Sequence, residues 1–290
     1  MSEPGTFRGI AVLGVGLIGG SFALAARREA PGAVIAGFDR EENLAKAKAR
    51  GAIDESCADV ASAVHNADLI YIALPVVAAM ESLRTIAEHA PKGALVTDAC
   101  STKGAICRAA LNVFKSPDGP LFLGGHPMAG KEAPGVEQAD ADLFRGAQYA
   151  LIGSGPATDE RVRRFLALIE KMGATPVWCD AETHDWAVGV VSHLPQMVSI
   201  ALARVIEDET DETGLPVSLA GAGLRDALRL AASPYSMWRD ICLTNTENVR
   251  RALDRMEQAL EYLRTHLASR ELEAEFRGAN ELCKSLQKGQ

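Results

Sequence analysis

The hydrophobic residues in the first part of the chain form short, nearly continuous runs that are separated by longer segments with helical spacing. Continuous apolar runs are typical of strands that are covered on both faces, and a helix between consecutive strands is typical of a parallel sheet. The predicted strands are Ile10–Leu13, Val34–Phe38, Leu69–Leu74, Leu95–Thr97, Leu121–Leu123 and Tyr149–Ile152. The predicted helices between them are Ile18–Arg28, Glu41–Arg50, Val76–His89, Lys103–Phe114 and Asp159–Met172. The pattern therefore predicts an α/β domain over residues 1–178, built on a doubly wound parallel sheet.

The pattern changes near residue 178, and only helical spacing follows. The predicted helices are Asp185–Glu209, Pro216–Ala231, Ser236–Leu267 and Ser269–Leu286. Apolar residues recur at helical spacing from Val249 to Leu267, with charged residues between them, which is typical of a helix–helix interface. Residues 179–290 are therefore predicted to form an all-helical domain, and we expect its apolar stripe to pair two copies of the chain in a homodimer.

One uncharged stretch, from Trp186 to Ala203, is long enough to suggest a membrane span. Its centre holds His193 and Gln196, which are too polar for a helix that faces lipid. We interpret the stretch as a buried helix and expect no association with a membrane. Pro195 removes a backbone hydrogen bond within this helix, so the helix should bend nearby.

The composition is that of an ordinary soluble globular protein, because 48% of the 290 residues are hydrophobic and 23% are charged. The formal net charge is −8, from 30 Lys and Arg against 38 Asp and Glu, and the basic residues form no cluster, so we expect no nucleic-acid binding. The six cysteines are scattered without a C-x-x-C pair or a matching histidine spacing, which predicts neither a metal site nor a disulfide framework. The chain begins without the pattern of a signal peptide, and with reduced cysteines this predicts a cytoplasmic protein.

A glycine motif follows the first predicted strand and opens the first helix: Gly14-Val15-Gly16-Leu17-Ile18-Gly19. In this context a G-x-G-x-x-G motif indicates a dinucleotide site, because its glycines permit a tight turn, the approach of a pyrophosphate and close helix–strand packing. The next strand leads to Asp39, whose carboxylate can bind ribose hydroxyls and so favours NAD, while the neighbouring Arg40 leaves NADP possible. The predicted cofactor-binding residues are Gly14, Gly16, Leu17, Ile18, Gly19, Asp39, Arg40, Leu74 and Pro75.

Two polar segments follow predicted strands at their carboxyl ends, where open α/β sheets bind their substrates. The first contains Ser101, and the second contains His126 between a glycine pair and Pro127. A histidine titrates near neutral pH and can act as a general base. We therefore predict that His126 is the catalytic base and that Ser101 orients it or binds the same substrate hydroxyl.

Four further residues are candidates for substrate binding. His193 and Gln196 could line a pocket where the apolar helix bends, or they could be satisfied residues of its core. Arg225 and Arg229 are four residues apart on one predicted helix, next to a glycine turn, and as a pair they suit a carboxylate. In the alternative interpretation, the two arginines belong to a solvated helix face with Asp226 as an ion-pair partner.

Five motifs, in this order, resemble those of the prephenate and arogenate dehydrogenases of tyrosine biosynthesis: GVGLIGGS, DACSTKG, GGHPMAGKE, HDWAVGVVSHLP and GLRDALRLAASPYSMWRDI, the last followed by TNTENV. The resemblance covers nearly the whole chain. It implies a Rossmann-type domain that is joined to a helical dimerisation domain. It also implies an NAD-dependent oxidative decarboxylation of prephenate to 4-hydroxyphenylpyruvate and CO2.

The resemblance also implies roles for single residues. By its position in the GGHP motif, His126 would take or polarise the proton of a ring hydroxyl, and Ser101 would bind that hydroxyl or His126. Arg229 would bind a substrate carboxylate, with Arg225 and Glu132 shaping the pocket.

One departure from the family pattern bears on the choice of substrate. Many relatives read SHLPH where this chain has Gln196 in the last position, and a neutral amide does not suit the amino group of arogenate, so prephenate is favoured. Three alternatives stay open: an arogenate dehydrogenase, a dehydrogenase of β-hydroxy acids, and a non-catalytic NAD(H)-sensing module. By resemblance the second class uses a catalytic lysine in its helical domain, and this chain has no lysine between Trp178 and Leu243.

Overall fold

A computed structural model of the chain describes residues 7–131, 133, 135–153, 155 and 159–288. Its strands are β1 (Gly9–Leu13), β2 (Val34–Phe38), β3 (Glu55–Cys57), β4 (Leu69–Ile72), β5 (Leu95–Asp98), β6 (Leu121–Leu123), β7 (Gly125–Pro127), β8 (Gln148–Ile152) and β9 (Thr175–Cys179). Its helices are α1 (Leu17–Glu29), α2 (Glu41–Ala49), α3 (Val60–Val64), α4 (Val76–His89), α5 (Gly104–Val113), α6 (Glu160–Lys171), α7 (Ala181–Val188), α8 (Leu194–Glu209), α9 (Leu215–Ser218), α10 (Ala222–Leu228), α11 (Tyr235–Thr244), α12 (Thr246–Thr265) and α13 (Leu272–Lys288). Short 3₁₀ turns lie at Val136–Gln138 and Arg229–Ala232, and a π-helical turn lies at Gly189–His193.

Six strands form one parallel sheet in the order β3-β2-β1-β4-β5-β6. Alternate side chains of a strand enter two separate cores: in β1, Ile10 and Val12 pack on one face of the sheet, and Ala11 and Leu13 pack on the other. This strand order binds dinucleotides at the point where the order reverses, between β1 and β4. The prediction of a Rossmann-type doubly wound sheet is confirmed.

A second, three-stranded sheet has the order β7-β8-β9. Strand β7 runs antiparallel to β8, and β8 runs parallel to β9. The predicted strand Tyr149–Ile152 lies in this sheet, so its expected place in the parallel sheet is wrong. The sequence pattern does not predict β3, β7 or β9. The short strands β3 (ESC) and β7 (GHP) contain no apolar run, and β9 contains Pro176, which a strand tolerates at the edge of a sheet.

The long apolar stretch of the helical part forms α7, the π-helical turn and α8, and the π turn ends two residues before Pro195. The irregularity expected near this proline is therefore present. Ala181–Glu209 is the one helical stretch among the described residues that is long and apolar enough to cross a membrane, and 28% of its most apolar window is buried. The expectation of a buried helix is wrong for the single chain, because Trp186, Val191 and Val205 remain 52%, 67% and 58% exposed.

Two carboxylates of the helical part cap helices of the sheet domain. Asp185 in α7 accepts hydrogen bonds from the backbone N–H groups of Lys103 and Gly104, at 2.7 and 2.8 Å, at the start of α5. Asp240 in α11 accepts one from the N–H group of Val77 at 3.2 Å, at the start of α4. Both carboxylates are buried, and negative charge is favourable at a helix N-terminus. Charge-assisted hydrogen bonds therefore fix the helical part to the sheet at two points.

A buried ion pair joins the two sheets. Asp98 at the end of β5 and Lys103 are both fully buried and in contact. Lys103 also donates to the backbone oxygen of Gly125 in β7 at 2.6 Å, and the N–H group of Gly125 donates to Asp98 at 3.1 Å. Burial alone would lower the pKa of Lys103, but the Asp98 carboxylate outweighs it and holds this pKa above its ordinary value. The ion pair therefore fixes β7 to the end of β5.

Replacement of Lys103 by methionine should measure the contribution of this ion pair to stability. The Lys103→Met variant leaves the Asp98 carboxylate buried without its cation, so we expect the free energy of unfolding in urea to fall by about 3–5 kcal/mol. Lys46→Met is the matched control, because Lys46 forms exposed ion pairs with Glu42 and Glu137 and should contribute far less. Equal losses in the two variants would contradict the role given to Lys103.

Candidate active site

The glycine motif forms a tight turn between β1 and α1. Gly14 has a φ of +90°, and a Cβ atom there would lie 2.5 Å from the backbone oxygen of Ala73. A Cβ atom at Gly19 would lie 1.8 Å from the oxygen of Gly14, so this position also requires glycine. At Gly16, by contrast, no described atom lies within 4 Å of the position that a Cβ atom would take. The space over Gly16, before the first turn of α1, is therefore open.

The first turn of α1 contains Leu17, Ile18 and Gly19, whose backbone N–H groups have no partner within the helix. Such groups, together with the positive end of the helix dipole, make a helix N-terminus a site for phosphate groups. Leu74 and Pro75 lie between β4 and α4. The backbone nitrogen of Leu74 would lie 3.1 Å from a Cβ atom on the first glycine of the motif, so this loop borders the same turn.

Asp39 follows β2 and is held beside the glycine turn. Its carboxylate accepts hydrogen bonds from the N–H group of Val15 at 2.8 Å, from that of Arg40 at 2.7 Å and from the amide of Asn43 at 2.8 Å. A carboxylate in this place can accept ribose hydroxyls and repels an added phosphate group. The side chain of Arg40 is exposed at the start of α2. The sequence analysis missed Asn43, because a polar residue on a helix surface carries no functional signal by itself.

His126 lies on β7, opposite Ala150 of β8. Its Nδ1 atom is 2.9 Å from Nε2 of His184 in α7, and Nδ1 of His184 is 2.9 Å from the carboxylate of Asp185. Burial lowers the pKa of His126 well below its ordinary value, and the charge of the nearby Lys103 lowers it further. His126 is therefore neutral at neutral pH, which is the form in which a histidine can accept a proton.

His193 is buried at the end of the π-helical turn. Its Nδ1 atom is 3.1 Å from the amide nitrogen of Asn245, and its ring meets the indole of Trp238 edge to face, with ring centroids 5.7 Å apart. Burial lowers the pKa of His193 to about 4, so this ring is also neutral. The same Asn245 nitrogen donates to the backbone oxygen of Asp185 at 2.8 Å. Through hydrogen bonds, both His126 and His193 are therefore connected to Asp185.

The sequence analysis missed four residues of this network: His184, Asp185, Trp238 and Asn245. All four lie in segments that resemble motifs of the family, and nothing else in the sequence indicates a function for them. Their chemistry depends on contacts between distant parts of the chain, since His184 is 58 positions from His126 and Asn245 is 60 positions from Asp185.

Gln196 is 1% exposed and lies in the first turn of α8. Its side-chain nitrogen is buried and has no hydrogen-bond partner among the described residues, and the same holds for the indole nitrogen of Trp238. Buried donors in proteins are almost always paired. These two unpaired donors are therefore candidates for hydrogen bonds to a bound molecule.

A cavity of about 520 Å³ lies where the loop after β7 meets the segment after α10. Its lining residues are Gly130, Lys131, Arg229, Leu230, Ala232 and Ser233. Arg225 does not line this cavity, because it is exposed and donates to the backbone oxygen of Ala220 at 3.3 Å. Arg225 lies in α10, which ends at Leu228, and Arg229 begins the 3₁₀ turn that follows it directly.

Ser101 lies in the loop between β5 and α5, where it is half-buried and its hydroxyl makes no hydrogen bond to a residue that the structure describes. It precedes Lys103 by two residues, and Lys103 bonds Gly125 next to His126. Ser101 and His126 therefore lie at the same edge of the sheet. Glu132, which was expected to shape the pocket, lies outside the described residues.

Two protein-family models match successive parts of the chain. Residues 22–177 match "Prephenate dehydrogenase, nucleotide-binding domain", and residues 180–287 match "Prephenate dehydrogenase, dimerization domain". The chain belongs to the prephenate dehydrogenase family.

Members of this family are similar to the chain over most of its length. The prephenate dehydrogenase of Lactococcus lactis subsp. cremoris is 35% identical over 91% of this chain and 73% of its own length. The crystal structure of prephenate dehydrogenase from A. aeolicus in complex with hydroxyphenyl propionate and NAD+ superposes with a TM-score of 0.85, at 31% identity over 97% of both chains. The structure of Synechocystis arogenate dehydrogenase superposes with a TM-score of 0.78, at 29% identity over 97% of this chain and 99% of its own.

As a member of the prephenate dehydrogenase family, the chain is an NAD-dependent oxidoreductase. Its own residues fit this cofactor. The open space over Gly16 and the unpaired N–H groups at the start of α1 suit a pyrophosphate, and the Asp39 carboxylate suits a ribose without an added phosphate.

A methyl group at Gly16 should weaken cofactor binding without harm to the fold. The Gly16→Ala variant has room for its Cβ atom, so we expect an unchanged melting temperature but a dissociation constant for NAD that is at least about tenfold higher by calorimetric titration. Gly32→Ala, in the loop before β2, also has open space around its Cβ atom and should bind NAD as the wild type does. Wild-type affinity in Gly16→Ala would remove the glycine motif from the cofactor site.

Proposed function

We propose that the protein catalyses the NAD-dependent oxidative decarboxylation of prephenate to 4-hydroxyphenylpyruvate and CO2 in tyrosine biosynthesis. The observation that carries this proposal is the neutral base His126, whose ring is hydrogen-bonded to His184 in a chain of the prephenate dehydrogenase family. The loop after His126 leads to the cavity that Lys131 and Arg229 line. A base for a hydroxyl group and cations for carboxylates are the two requirements of this substrate.

His126 and Ser101 act on the ring hydroxyl of prephenate in this proposal. His126 accepts the hydroxyl proton, and Ser101 donates a hydrogen bond to the same oxygen. NAD, when bound, supplies the acceptor for the hydride that leaves the carbon bearing this hydroxyl. Loss of the ring carboxylate as CO2 makes the ring aromatic, and His126 returns its proton to the phenolic oxygen. The protein therefore takes up and returns one proton, and the reaction releases none.

The cationic cavity and Gln196 serve the carboxylates and the keto group. Prephenate carries two carboxylates, and a guanidinium such as that of Arg229 can bind one of them through two parallel hydrogen bonds. Gln196 adds a buried N–H donor without a partner among the described residues, which suits a keto or carboxylate oxygen. Gln196 carries no negative charge that could pair with the ammonium group of arogenate, so it favours prephenate over arogenate.

Arogenate oxidation is the second candidate, because the arogenate dehydrogenase of Synechocystis has the same fold along the whole chain. The same chemistry at His126 would then give tyrosine directly. A non-catalytic NAD(H)-sensing role would use the glycine motif but would need neither His126 nor the cationic cavity.

We infer that the helical part forms a homodimer and that the protein works in the cytoplasm. The match of residues 180–287 to a dimerization domain supports the dimer. So do Leu260, Leu263 and Phe276, which are 56%, 36% and 64% exposed on α12 and α13, because burial of such apolar surface favours association. All six cysteines are free, which fits a reducing compartment.

The identity and the relative amounts of the reaction products test the proposed activity. With NAD and prephenate, the purified protein should form NADH, CO2 and 4-hydroxyphenylpyruvate in equal amounts, measured by absorbance and chromatography. With arogenate, or with NADP in place of NAD, we expect a rate at least about tenfold lower. Turnover of arogenate alone would establish the second candidate, and tight NAD binding without turnover of either substrate would support the sensing role.

His126→Asn should remove the base and leave the fold intact. Asparagine keeps a polar group near the position of Nδ1, which faces His184, but it has nothing in place of Nε2. We expect kcat with prephenate to fall by about 10²–10⁴-fold while the affinity for NAD stays unchanged. His89→Asn changes an exposed histidine at the end of α4 and should keep the wild-type kcat. A wild-type rate in His126→Asn would exclude His126 as the base.

The two arginines should behave differently when each is replaced by alanine. Arg229 lines the cavity, so Arg229→Ala should raise the KM for prephenate by about 10- to 100-fold, the loss expected when a charged partner is removed. Arg225 bonds the backbone of its own turn, so Arg225→Ala should change this KM by less than about twofold. Steady-state kinetics at saturating NAD measure both, and equal effects would contradict the assignment of Arg229 alone to the cavity.

A further inference from the structure

We propose that His184 and Asp185 are positioning residues, which hold His126 in the tautomer whose unprotonated Nε2 atom accepts the proton of the substrate hydroxyl. The inference rests on the proposed function for its chemistry and on hydrogen bonds within the chain for its geometry. Nδ1 of His126 is 2.9 Å from Nε2 of His184, and Nδ1 of His184 is 2.9 Å from Oδ1 of Asp185. The three side chains therefore form one hydrogen-bonded series.

The series begins at Asp185, which can only accept hydrogen bonds while it is ionised. Its Oδ1 atom also accepts from the N–H group of Lys103 at 2.7 Å, and its Oδ2 atom accepts from that of Gly104 at 2.8 Å. Burial alone would raise the pKa of Asp185, but the hydrogen bonds from His184 and from these two backbone groups outweigh it and hold this pKa below its ordinary value. Asp185 is therefore a carboxylate at neutral pH.

This carboxylate determines which nitrogen carries the hydrogen on each ring. Nδ1 of His184 must donate, because its partner on Asp185 can only accept. In the proposed arrangement the ring of His184 carries a single hydrogen, on Nδ1, so its Nε2 accepts and Nδ1 of His126 carries the hydrogen of that bond. Nε2 of His126 is left with its lone pair, as a general base requires. When this atom takes up a proton, the charge of Asp185 lies one ring away and stabilises the imidazolium.

A purely structural role of Asp185 is the competing explanation, because this carboxylate also caps α5. Substitutions of His184 separate the two roles. His184→Leu leaves Asp185 with the backbone groups of Lys103 and Gly104 but removes the acceptor for His126. His184→Gln places an amide oxygen near the position of Nε2, so it restores an acceptor without a titratable ring.

Long-range ¹H–¹⁵N NMR spectra of the full chain, labelled with ¹⁵N-histidine, report the tautomer of each ring. The signals of His126 are those that His126→Asn lacks. We expect His126 to carry its hydrogen on Nδ1 in the wild type and in His184→Gln, and on Nε2 in His184→Leu. His65→Leu, which removes an exposed histidine, is the control and should leave the His126 signals unchanged. A wild-type His126 with its hydrogen on Nε2, or an unchanged tautomer in His184→Leu, would overturn the proposal.

Kinetics give a second readout. We expect kcat with prephenate to fall by about 10- to 100-fold in His184→Leu, with the KM values within about twofold, and to recover to within about fivefold of the wild type in His184→Gln. A purely structural role predicts that both variants lose activity together with thermal stability, which would overturn the proposal. The NMR measurement needs no substrate, so the two hypotheses can fail separately. A wild type that does not turn over prephenate would overturn the proposed function, whereas an unchanged tautomer would overturn this inference alone.

Discussion

The hydrogen bonds of the Asp185 carboxylate connect the two parts of the chain and orient the site between them. The carboxylate accepts from Lys103 and Gly104 at the start of α5 and from the ring of His184. These donors outweigh the cost of its burial, so the charge persists inside the protein. Without this charge, the helical part would lose one of its two caps on the sheet domain, and the ring of His184 would lose the acceptor that orients it.

The ion pair of Asp98 and Lys103 holds the other side of the site. It fixes Gly125, the residue before His126, to the end of β5 through two hydrogen bonds. His126 is therefore held by its backbone from the sheet domain and by its Nδ1 atom from the helical part. In the proposed function Nε2 of His126 accepts the substrate proton, and a base that is held from two sides is already oriented when the substrate binds.

The parallel sheet, the glycine turn beside Asp39 and the position of His126 near the end of β5 could be predicted from the sequence, because each leaves a local signal: continuous apolar runs, a glycine motif after a strand, and a histidine after a strand. The rest depends on contacts that no local pattern reports. Strand β9 contains Pro176, a residue that argues against a strand in the sequence. Helix α10 ends at Leu228, so Arg229 lies just outside the helix in which it was predicted. His184 is hydrogen-bonded to a residue 58 positions away, so this contact becomes visible only in the fold.

The pH dependence of kcat/KM for prephenate, at saturating NAD, tests the central proposal that His126 is a partly buried, neutral base. The acid limb of this profile reports the pKa of the base in the enzyme–NAD complex before prephenate binds. Because burial lowers the pKa of His126 below its ordinary value of about 6.5, kcat/KM should stay level as the pH falls through about 6.5 and decline only below it. A decline centred at about pH 7 or above would contradict the account.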